Sequence, residues 1–535
     1  MRPRLLPALV LTMAVLATAC TDTDQGLTAT RSKSTPSATD TPSTDTPSTD
    51  PSSTDSPPTD DTDGPGNTGI PDTTGDGGNS QAAFGWDDYF GDGTVDYGTL
   101  EVPIDYDDPS KGSFELTVAR HNAAKPNERI GSLLVNRGGP GFESADFAIY
   151  ADQIYSADLV DHFDIISWDP RGTGLSTPAI DCVSDYDKYF ATPDITPDDE
   201  AERQENVDLA KEFEEDCATK NADILQYIGT NNTARDMDSI RQALGEETIS
   251  YFGFSYGSEL GATWATLFPE TVRAAVLDGA SDPQADFITS SLQQTKGFED
   301  ALNTFLADCS AKTDCPFNNG GDAEGAFDAL MKSLDENPVP STSGRPDINL
   351  TVALTGVTEA MYSESSWPAL AQALADAKDG KGEGLLDLYD EYYQRQPDGT
   401  YDNSLEAFQT ITCMDTSERL TVEQADATVP EFMKVAPRVS PGTVGPYFCT
   451  FYPATDDPRV DITGKGAGTI LVVGTTGDPA TPLASSQNMA NDLEDGVLLT
   501  VKADQHTGYD VNSCSQGTVD AYLIDKTVPA EGTTC

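Results

Sequence analysis

The hexapeptide GFSYGS, residues 253–258, places one serine between two glycines directly after a run that is typical of a buried β-strand. That run is ETISYF, residues 247–252, and the residues after the hexapeptide have the periodicity of a helix. Two interpretations fit these residues. Ser255 is a nucleophile on a sharp turn between a strand and a helix, or it is an ordinary loop serine. Because the motif is short, its context in the chain must decide.

Short runs rich in β-branched and aromatic residues alternate with helical runs from residue 84 onward. This alternation favours an α/β fold with a mostly parallel, doubly wound sheet. A long stretch with helical runs separates the sixth and seventh strands and predicts an inserted, largely helical cap. The eight predicted strands are residues 99–104, 114–120, 130–136, 163–169, 248–254, 274–279, 469–474 and 497–503.

Three polar residues that could act together in catalysis each follow a predicted strand. Ser255 follows the fifth strand, Asp478 the seventh and His506 the eighth. Nucleophile, acid and base in this chain order, each at the carboxyl end of a strand, is the arrangement of the α/β-hydrolases. The chain has three histidines, and both His121 and His162 precede the serine, so the base in this order can only be His506.

A serine hydroxyl needs an imidazole to take its proton and a carboxylate to orient and stabilise that imidazole. It also needs donors for the oxyanion that forms on attack. The segment NRGGPG, residues 136–141, directly follows the third strand, where these enzymes place one such donor. We therefore predict that the backbone N–H groups of Gly139 and Tyr256 form the oxyanion hole.

Residues 1–20, MRPRLLPALVLTMAVLATAC, have the basic start, apolar centre and small-residue end of an export signal. Either the signal is cleaved after Ala19 and the protein is secreted, or Cys20 is acylated and the protein is a surface lipoprotein, which we favour. Residues 21–83 are mostly Thr, Ser, Pro, Asp and Gly and predict a disordered tether.

Apart from Cys20, eight cysteines remain, an even number that suits disulfides in an oxidising compartment. Sequence cannot fix their connectivity, but pairing neighbours in chain order would close the shortest loops. None has the CxxC spacing of a zinc or redox site, so we expect no metal and no cofactor. The eight are Cys182, Cys217, Cys309, Cys315, Cys413, Cys449, Cys514 and Cys535.

The formal charge of −59 excludes a nucleic-acid-binding protein, because a phosphate backbone would be repelled. No second stretch is apolar enough to predict a transmembrane helix. We expect peptide substrates, contact with a membrane only through a lipid anchor, and a monomer.

Several motifs together resemble the exported tripeptidyl-aminopeptidase branch of the proline-iminopeptidase-like α/β-hydrolases. They are NRGGPG, WDPRGTGLS at residues 168–176, the stretch around Ser255, and GTTGDPATP at residues 474–482. The likeness runs from about Trp86 to Cys535, although Tyr97 stands where the family usually has a cysteine. The resemblance implies a peptidase that cuts near a free amino terminus beneath a helical cap.

The resulting division of the chain is an export signal (1–20), a tether (21–83), a first core segment (84–283), a cap with its return segment (284–465) and a second core segment (466–535). Asp415 or Glu418, in CMDTSE, could bind a substrate ammonium group. Thr481 is a further candidate for substrate binding, or it could set the loop of the acid or cap a helix. Arg171 is expected to brace a glycine turn rather than line the active site.

Two other functions remain open. A carboxylesterase or lipase would use the same three residues, and only the peptidase-like motifs argue against it. A noncatalytic surface-binding lipoprotein is the second alternative, and the complete Ser–Asp–His set argues against that.

Overall fold

The computed structural model describes residues 79–341, 344–442 and 447–535. At its centre lies one sheet with the strand order β1–β2–β3–β5–β4–β6–β7–β8–β9, antiparallel from β1 to β5 and parallel from β5 to β9. These strands are β1 (Asp87–Asp88), β2 (Val95–Pro103), β3 (Ser113–His121), β4 (Gly131–Asn136), β5 (Phe163–Trp168), β6 (Ile249–Phe254), β7 (Val272–Asp278), β8 (Ile470–Thr475) and β9 (Gly496–Val501).

All eight predicted strands are present, with boundaries that differ by a few residues. The sheet has one strand more than predicted, because the two exposed residues of β1 pair with the edge of β2 and are too short to show a pattern. Every residue of β4 and β8 is buried, which explains why these runs are mostly apolar instead of alternating between apolar and polar residues. Strands β4 to β9 are parallel, so their carboxyl ends meet at one edge of the sheet.

The helices flank this sheet and build the cap. The α-helices of the described residues are α1 (Asn79–Phe84), α2 (Asp146–Ile149), α3 (Ala151–Ile154), α4 (Ala157–His162), α5 (Tyr186–Phe190), α6 (Glu200–Lys220), α7 (Thr230–Leu244), α8 (Tyr256–Leu267), α9 (Phe287–Ala311), α10 (Ala323–Glu336), α11 (Leu350–Met361), α12 (Trp367–Lys378), α13 (Glu383–Tyr392), α14 (Ser404–Met414), α15 (Val422–Val435), α16 (Leu483–Asp492) and α17 (Ser513–Asp525). Short 3₁₀ helices lie at Pro109–Lys111, Pro126–Glu128, Leu225–Tyr227, Pro269–Thr271, Glu364–Ser366 and Ser440–Gly442.

The helices between β7 and β8 divide between two apolar cores. Helices α9 to α13 pack around a core of their own, which includes Leu302, Leu354 and Leu370. Helix α14 instead places Ala407 and Ile411 in the main core beside the sheet. The cap predicted at residues 284–465 therefore contains one helix that packs as part of the main body.

A second segment packs against the cap, although the prediction placed it in the first core segment. It lies between β5 and α7 and carries α5 and α6. The buried carboxylate of Glu214 in α6 accepts hydrogen bonds from the backbone N–H groups of Cys449 at 2.8 Å and Phe451. Arg203, also in α6, pairs with Asp426 of α15 at 2.6 Å.

Four disulfides join neighbouring cysteines in chain order, as the shortest-loop pairing predicted. They are Cys182–Cys217, Cys309–Cys315, Cys413–Cys449 and Cys514–Cys535. Such a set fits an extracellular protein. No helix of the described residues is long and apolar enough to cross a membrane.

The predicted export signal, Cys20 and most of the tether lie outside the described residues. The last five residues of that tether, 79–83, belong to α1, so the folded part begins earlier than predicted. The cause is an aromatic anchor: the buried rings of Phe84 and Trp86 stack with their centroids 4.5 Å apart. Gln81 also donates a hydrogen bond to the carbonyl oxygen of Trp86 at 3.0 Å, which holds the preceding turn in place.

Candidate active site

Ser255 lies on a tight turn between β6 and α8, as the opening motif predicted. Its backbone has φ 55° and ψ −126°, a conformation that non-glycine residues rarely adopt and that is common at functional sites. The flanking glycines permit this turn, because a Cβ atom on Gly253 would lie 2.2 Å from the carbonyl oxygen of Gly257. The Ser255 amide donates to the carbonyl oxygen of Asp278 at 2.8 Å, which ties the turn to the neighbouring strand.

His506 and Asp478 are joined directly. His506 Nδ1 lies 2.8 Å from Asp478 Oδ1 and 3.0 Å from Oδ2, and the Asp478 side chain is buried. The backbone N–H groups of Ala480 and Thr481 also donate to Oδ1, so the carboxylate is held in one orientation. Burial opposes a charged imidazole, but the Asp478 carboxylate outweighs it and leaves the pKa of His506 above its ordinary value.

The other ring nitrogen of His506, Nε2, is buried and has no hydrogen-bond partner within the described residues. The ring lies against Gly279, since a Cβ atom on that glycine would be 3.1 Å from His506 Cε1. Gly279 directly follows Asp278, the residue that holds the Ser255 amide. The amide of Ser255 and the ring of His506 therefore contact two adjacent residues, Asp278 and Gly279. The free Nε2 is the nitrogen that a general base would use.

Thr481 contacts both members of the acid–base pair. Its hydroxyl donates to Asp478 Oδ2 at 3.1 Å and lies 3.4 Å from His506 Nδ1. Thr481 precedes α16, whose N-terminal cap is Pro482, so it sets the loop of the acid and does not cap the helix.

The NRGGPG loop lies directly beside Ser255. A Cβ atom on Gly138 would be 2.8 Å from Ser255 Cβ and 3.4 Å from the Tyr256 nitrogen. Gly138 and Gly139 have φ values of 108° and 115°, which favour glycine strongly. The loop and the start of α8 thus bring the backbone of Gly139 and Tyr256, the two predicted oxyanion donors, close to the serine.

The cap contacts the catalytic loops in two places. The His506 amide donates to the carbonyl oxygen of Tyr362 at 2.9 Å, and the Tyr362 ring packs edge-on against the imidazole with centroids 5.6 Å apart. On the other side, a Cβ atom on Gly141 would lie 2.3 Å from the backbone nitrogen of Phe408 in α14. A segment between β7 and β8 therefore contacts each of two loops, the one that carries His506 and the NRGGPG loop.

Arg171 is fully buried and forms a bidentate pair with Asp236 of α7. It also donates to the backbone carbonyls of Ile104 and Tyr227. It braces the WDPRGTGLS turn against the opening strand and α7, as expected.

Asp415 is engaged by protein groups, which reduces its value as a free ammonium ligand. Its carboxylate accepts the backbone N–H and the hydroxyl of Thr230, each at 2.6 Å, and the Thr230 hydroxyl also bonds to the Tyr256 hydroxyl. Burial raises the pKa of Asp415 to about 7, against the effect of the Thr230 hydrogen bonds. Asp415 thereby supports Tyr256, the residue after Ser255.

Glu418 is exposed and stands at a small pocket, unlike Asp415. The pocket is otherwise largely apolar, with Phe287 and Phe448 stacked at a centroid distance of 5.4 Å. Phe448 contacts Phe408, the neighbour of the oxyanion loop, which connects this pocket to the active-site region. Its lining residues are Phe287, Ile288, Thr416, Glu418, Leu420, Phe448 and Cys449.

Sequence reasoning missed Asp278, Thr230 and Tyr362. Asp278 could have been found by the rule that selected Asp478, because it also ends a parallel strand. Nothing local in the sequence marks Tyr362, which reaches His506 only through the tertiary fold.

Two family models match the chain. A model of the α/β-hydrolase fold matches residues 131–319, and a model of the TAP-like protein family matches residues 442–535. The first covers Ser255, and the second covers both Asp478 and His506.

Three relatives align with most of the chain. Serine protease Hip1 of Mycobacterium tuberculosis is 36% identical over 82% of this chain and 86% of that protein. Carboxylesterase B of the same species is 36% identical over 82% and 85%. Tripeptidyl aminopeptidase of Streptomyces lividans is 28% identical over 85% and 87%. The chain therefore belongs to the α/β-hydrolase family, as a serine hydrolase whose C-terminal part is TAP-like.

Proposed function

We propose that the protein is an exported serine peptidase that hydrolyses peptide bonds near a free amino terminus through Ser255, His506 and Asp478. The observation that carries the proposal is the setting of His506: its Nδ1 is paired with a buried carboxylate, its Nε2 is unpartnered within the described residues, and its ring lies against Gly279, next to the residue that accepts the Ser255 amide. Each of the three residues follows a different parallel strand of the sheet.

In the proposed acylation step, Ser255 Oγ attacks the carbonyl carbon of the scissile bond and His506 Nε2 takes the hydroxyl proton. The buried Asp478 carboxylate stabilises the imidazolium that forms. The backbone N–H groups of Gly139 and Tyr256 donate to the oxyanion. His506 then gives the proton to the leaving amine, the C–N bond breaks, and the acyl group remains on Ser255.

In deacylation, a water molecule loses a proton to His506 Nε2 and attacks the acyl carbon. The second tetrahedral intermediate uses the same donors, and its collapse returns the proton to Ser255 Oγ. Hydrolysis thus restores the starting state without any group beyond the side chains and backbone named.

Relatives and charge support a peptide substrate with a free amino terminus. One relative is named a serine protease and another a tripeptidyl aminopeptidase. An exopeptidase needs an anion where the substrate ammonium ends, and Glu418 offers an exposed carboxylate in an otherwise largely apolar pocket. We assign the ammonium contact to Glu418 rather than Asp415, because Thr230 already occupies both oxygens of Asp415.

An ester substrate is the second candidate. The relative named carboxylesterase B has the same 36% identity as the protease, so overall similarity does not separate the two activities. The same three residues would cleave an ester, which has a better leaving group than an amide.

The proposal includes attachment to the cell surface through acylated Cys20, with peptides as the only macromolecular partners. Four disulfides support an extracellular location. A Cys20→Ala variant that moved from the membrane fraction to the medium would support the anchor, whereas equal release of both forms would contradict it.

The test compares a tripeptide chromogenic amide, its N-acetyl form and the matched ester at constant pH and salt, with Ser255→Ala as the blank. Acetylation removes the ammonium that would pair with the exposed carboxylate of Glu418. An exposed ion pair contributes at most about 1 kcal/mol, so we expect kcat/KM on the acetylated amide to fall by about two- to fivefold. Equal rates on the free and acetylated amides would reject the aminopeptidase. Hydrolysis of the ester alone would establish an esterase.

A further inference from the structure

We infer that Asp278 is a positioning residue that sets the distance between the nucleophile and the base by holding the loops of both. This inference rests on the proposed roles of Ser255 and His506. Asp278 is the last residue of β7, next to β6, and its side chain is not used in the chemistry described above.

Asp278 holds the nucleophile through its backbone. Phe254, the residue before Ser255, lies opposite Asp278 in the β6–β7 register. The next amide, that of Ser255, donates to the Asp278 carbonyl oxygen at 2.8 Å. Because this contact uses only backbone atoms, a substitution of the side chain leaves it in place.

Asp278 holds the base through its carboxylate. Oδ1 accepts the N–H of Gly508 at 2.8 Å, and Oδ2 accepts the N–H of Tyr509 at 2.9 Å. These amides lie two and three residues after His506, and each oxygen serves one of them. A fully buried carboxylate is costly unless hydrogen bonds satisfy it, so this one is matched specifically to the His506 loop.

The loop has little room to adjust without that carboxylate. A Cβ atom on Gly508 would lie 2.9 Å from Val473 and from Val501, so the loop sits tightly against β8 and β9. On the other side, the ring of His506 lies against Gly279. A change in the hydrogen bonds at Asp278 therefore moves the imidazole relative to Ser255.

The charge of the Asp278 carboxylate also affects the pKa of His506. Burial lowers the pKa of His506, but Asp478 and, by a smaller effect, Asp278 together raise it above its ordinary value. The titratable groups that face the imidazole are thus Asp478, Asp278 and the phenol of Tyr362. Burial raises the pKa of Asp278 itself to about 7, so this group carries its full charge only above that pH. Loss of the charge in a variant should shift the acid limb of the rate profile to lower pH.

The test variant is Asp278→Asn, which keeps the shape but turns an amide N–H toward one of the two backbone donors. We expect kcat to fall by about a hundredfold with KM unchanged, because a displacement of about 1 Å between reacting groups has an effect of that size. We also expect the acid limb of kcat/KM to shift down, and labelling of Ser255 by a fluorophosphonate to slow in parallel with kcat.

Asp520→Asn is the matched control. Asp520 is also buried and accepts the Tyr509 hydroxyl at 2.9 Å, but it makes no hydrogen bond to the backbone that follows His506. Its variant should keep the wild-type kcat and pH profile. Asp278→Glu retains the charge and displaces the carboxylate by one methylene, so it should keep the acid limb and lose kcat.

Wild-type kinetics in folded Asp278→Asn, or equal losses in both Asn variants, would overturn the inference. Failure of both Asp278 variants to fold, while Asp520→Asn folds, would also overturn it by assigning Asp278 to stability alone. Failure of the wild-type protein to label at Ser255 would instead reject the proposed function, so the two failures are distinguishable.

Discussion

The backbone N–H of His506 donates a hydrogen bond to the carbonyl oxygen of Tyr362, so the cap holds the candidate base directly. Ser363 and Gln505, the adjacent residues, form an isolated antiparallel bridge that extends this contact. The cap is therefore part of the structure that orients His506.

The ring of Tyr362 should matter more than its hydroxyl. It packs against the imidazole and, with centroids 5.3 Å apart, against Phe298. Aromatic pairs contribute about 0.5–1.5 kcal/mol beyond area burial. We expect Tyr362→Ala to lower kcat by about three- to tenfold and Tyr362→Phe to remain close to wild type. Steady-state kinetics on one amide substrate decide this, and equal losses in both variants would show that the hydroxyl is the active part.

Gly279→Ala should reduce activity far more than a comparable glycine substitution elsewhere. The new Cβ atom would lie 3.1 Å from His506 Cε1, at a φ of 68°. Gly245, which caps α7 at a φ of 76° with nothing within 4 Å, is the control for backbone strain. We expect both variants to lose about 1 kcal/mol of unfolding free energy, but only Gly279→Ala to lose kcat. Equal activities would show that the imidazole has room to move.

The rate profile should have an acid limb above the ordinary histidine pKa of 6.5. Asp478 raises the pKa of His506 by stabilising the imidazolium, and only the neutral ring can accept the proton of Ser255. Activity is therefore lost as pH falls through the raised pKa. Asp478→Asn should move the limb down and lower kcat by ~10⁴-fold, since it removes the charge and the tautomer control. A limb that stays in place in this variant would contradict the assignment of the acid.

The disulfides should differ in their effect on stability. In the chain-entropy model, the 36-residue separation of Cys413–Cys449 corresponds to about 4 kcal/mol and the 6-residue separation of Cys309–Cys315 to about 2 kcal/mol. Replacing each pair with serines and measuring urea unfolding checks this order. Thiol counting under denaturing conditions should find no free thiol among the eight cysteines, and several free thiols would refute the pairing.

Short apolar runs in the sequence predicted the strands of the sheet. The positions of polar residues directly after those strands predicted the central residues of the candidate site. The eight strands have strong apolar runs, and Ser255, Asp478 and His506 follow three of them, so the carboxyl-edge rule selected all three. The same rule applied to VRAAVLD would have selected Asp278, but a carboxylate whose partners are backbone amides belongs to no catalytic motif.

Long-range packing explains what the sequence did not reveal. Asp415 was predicted as a candidate ligand of the substrate ammonium group, yet its carboxylate bonds to Thr230, which lies 185 residues away in the chain. Tyr362 directly follows α11 and Phe408 lies in α14, and the periodicity of these helices reports burial but not which loop each residue contacts. The helix at Asn79–Phe84 was missed because its polar residues resemble the tether that precedes them.

Covalent labelling at Ser255 tests the central claim most directly. The wild-type protein is treated with a fluorophosphonate, digested and mapped by mass spectrometry, and Ser255→Ala is assayed in parallel for peptide hydrolysis and for cooperative unfolding. We expect a single adduct on Ser255, no adduct on the variant, and a loss of activity near the ~10⁶-fold seen when a triad nucleophile is removed. An adduct on another residue, or more than a few per cent of activity in a pure and folded Ser255→Ala protein, would contradict the account.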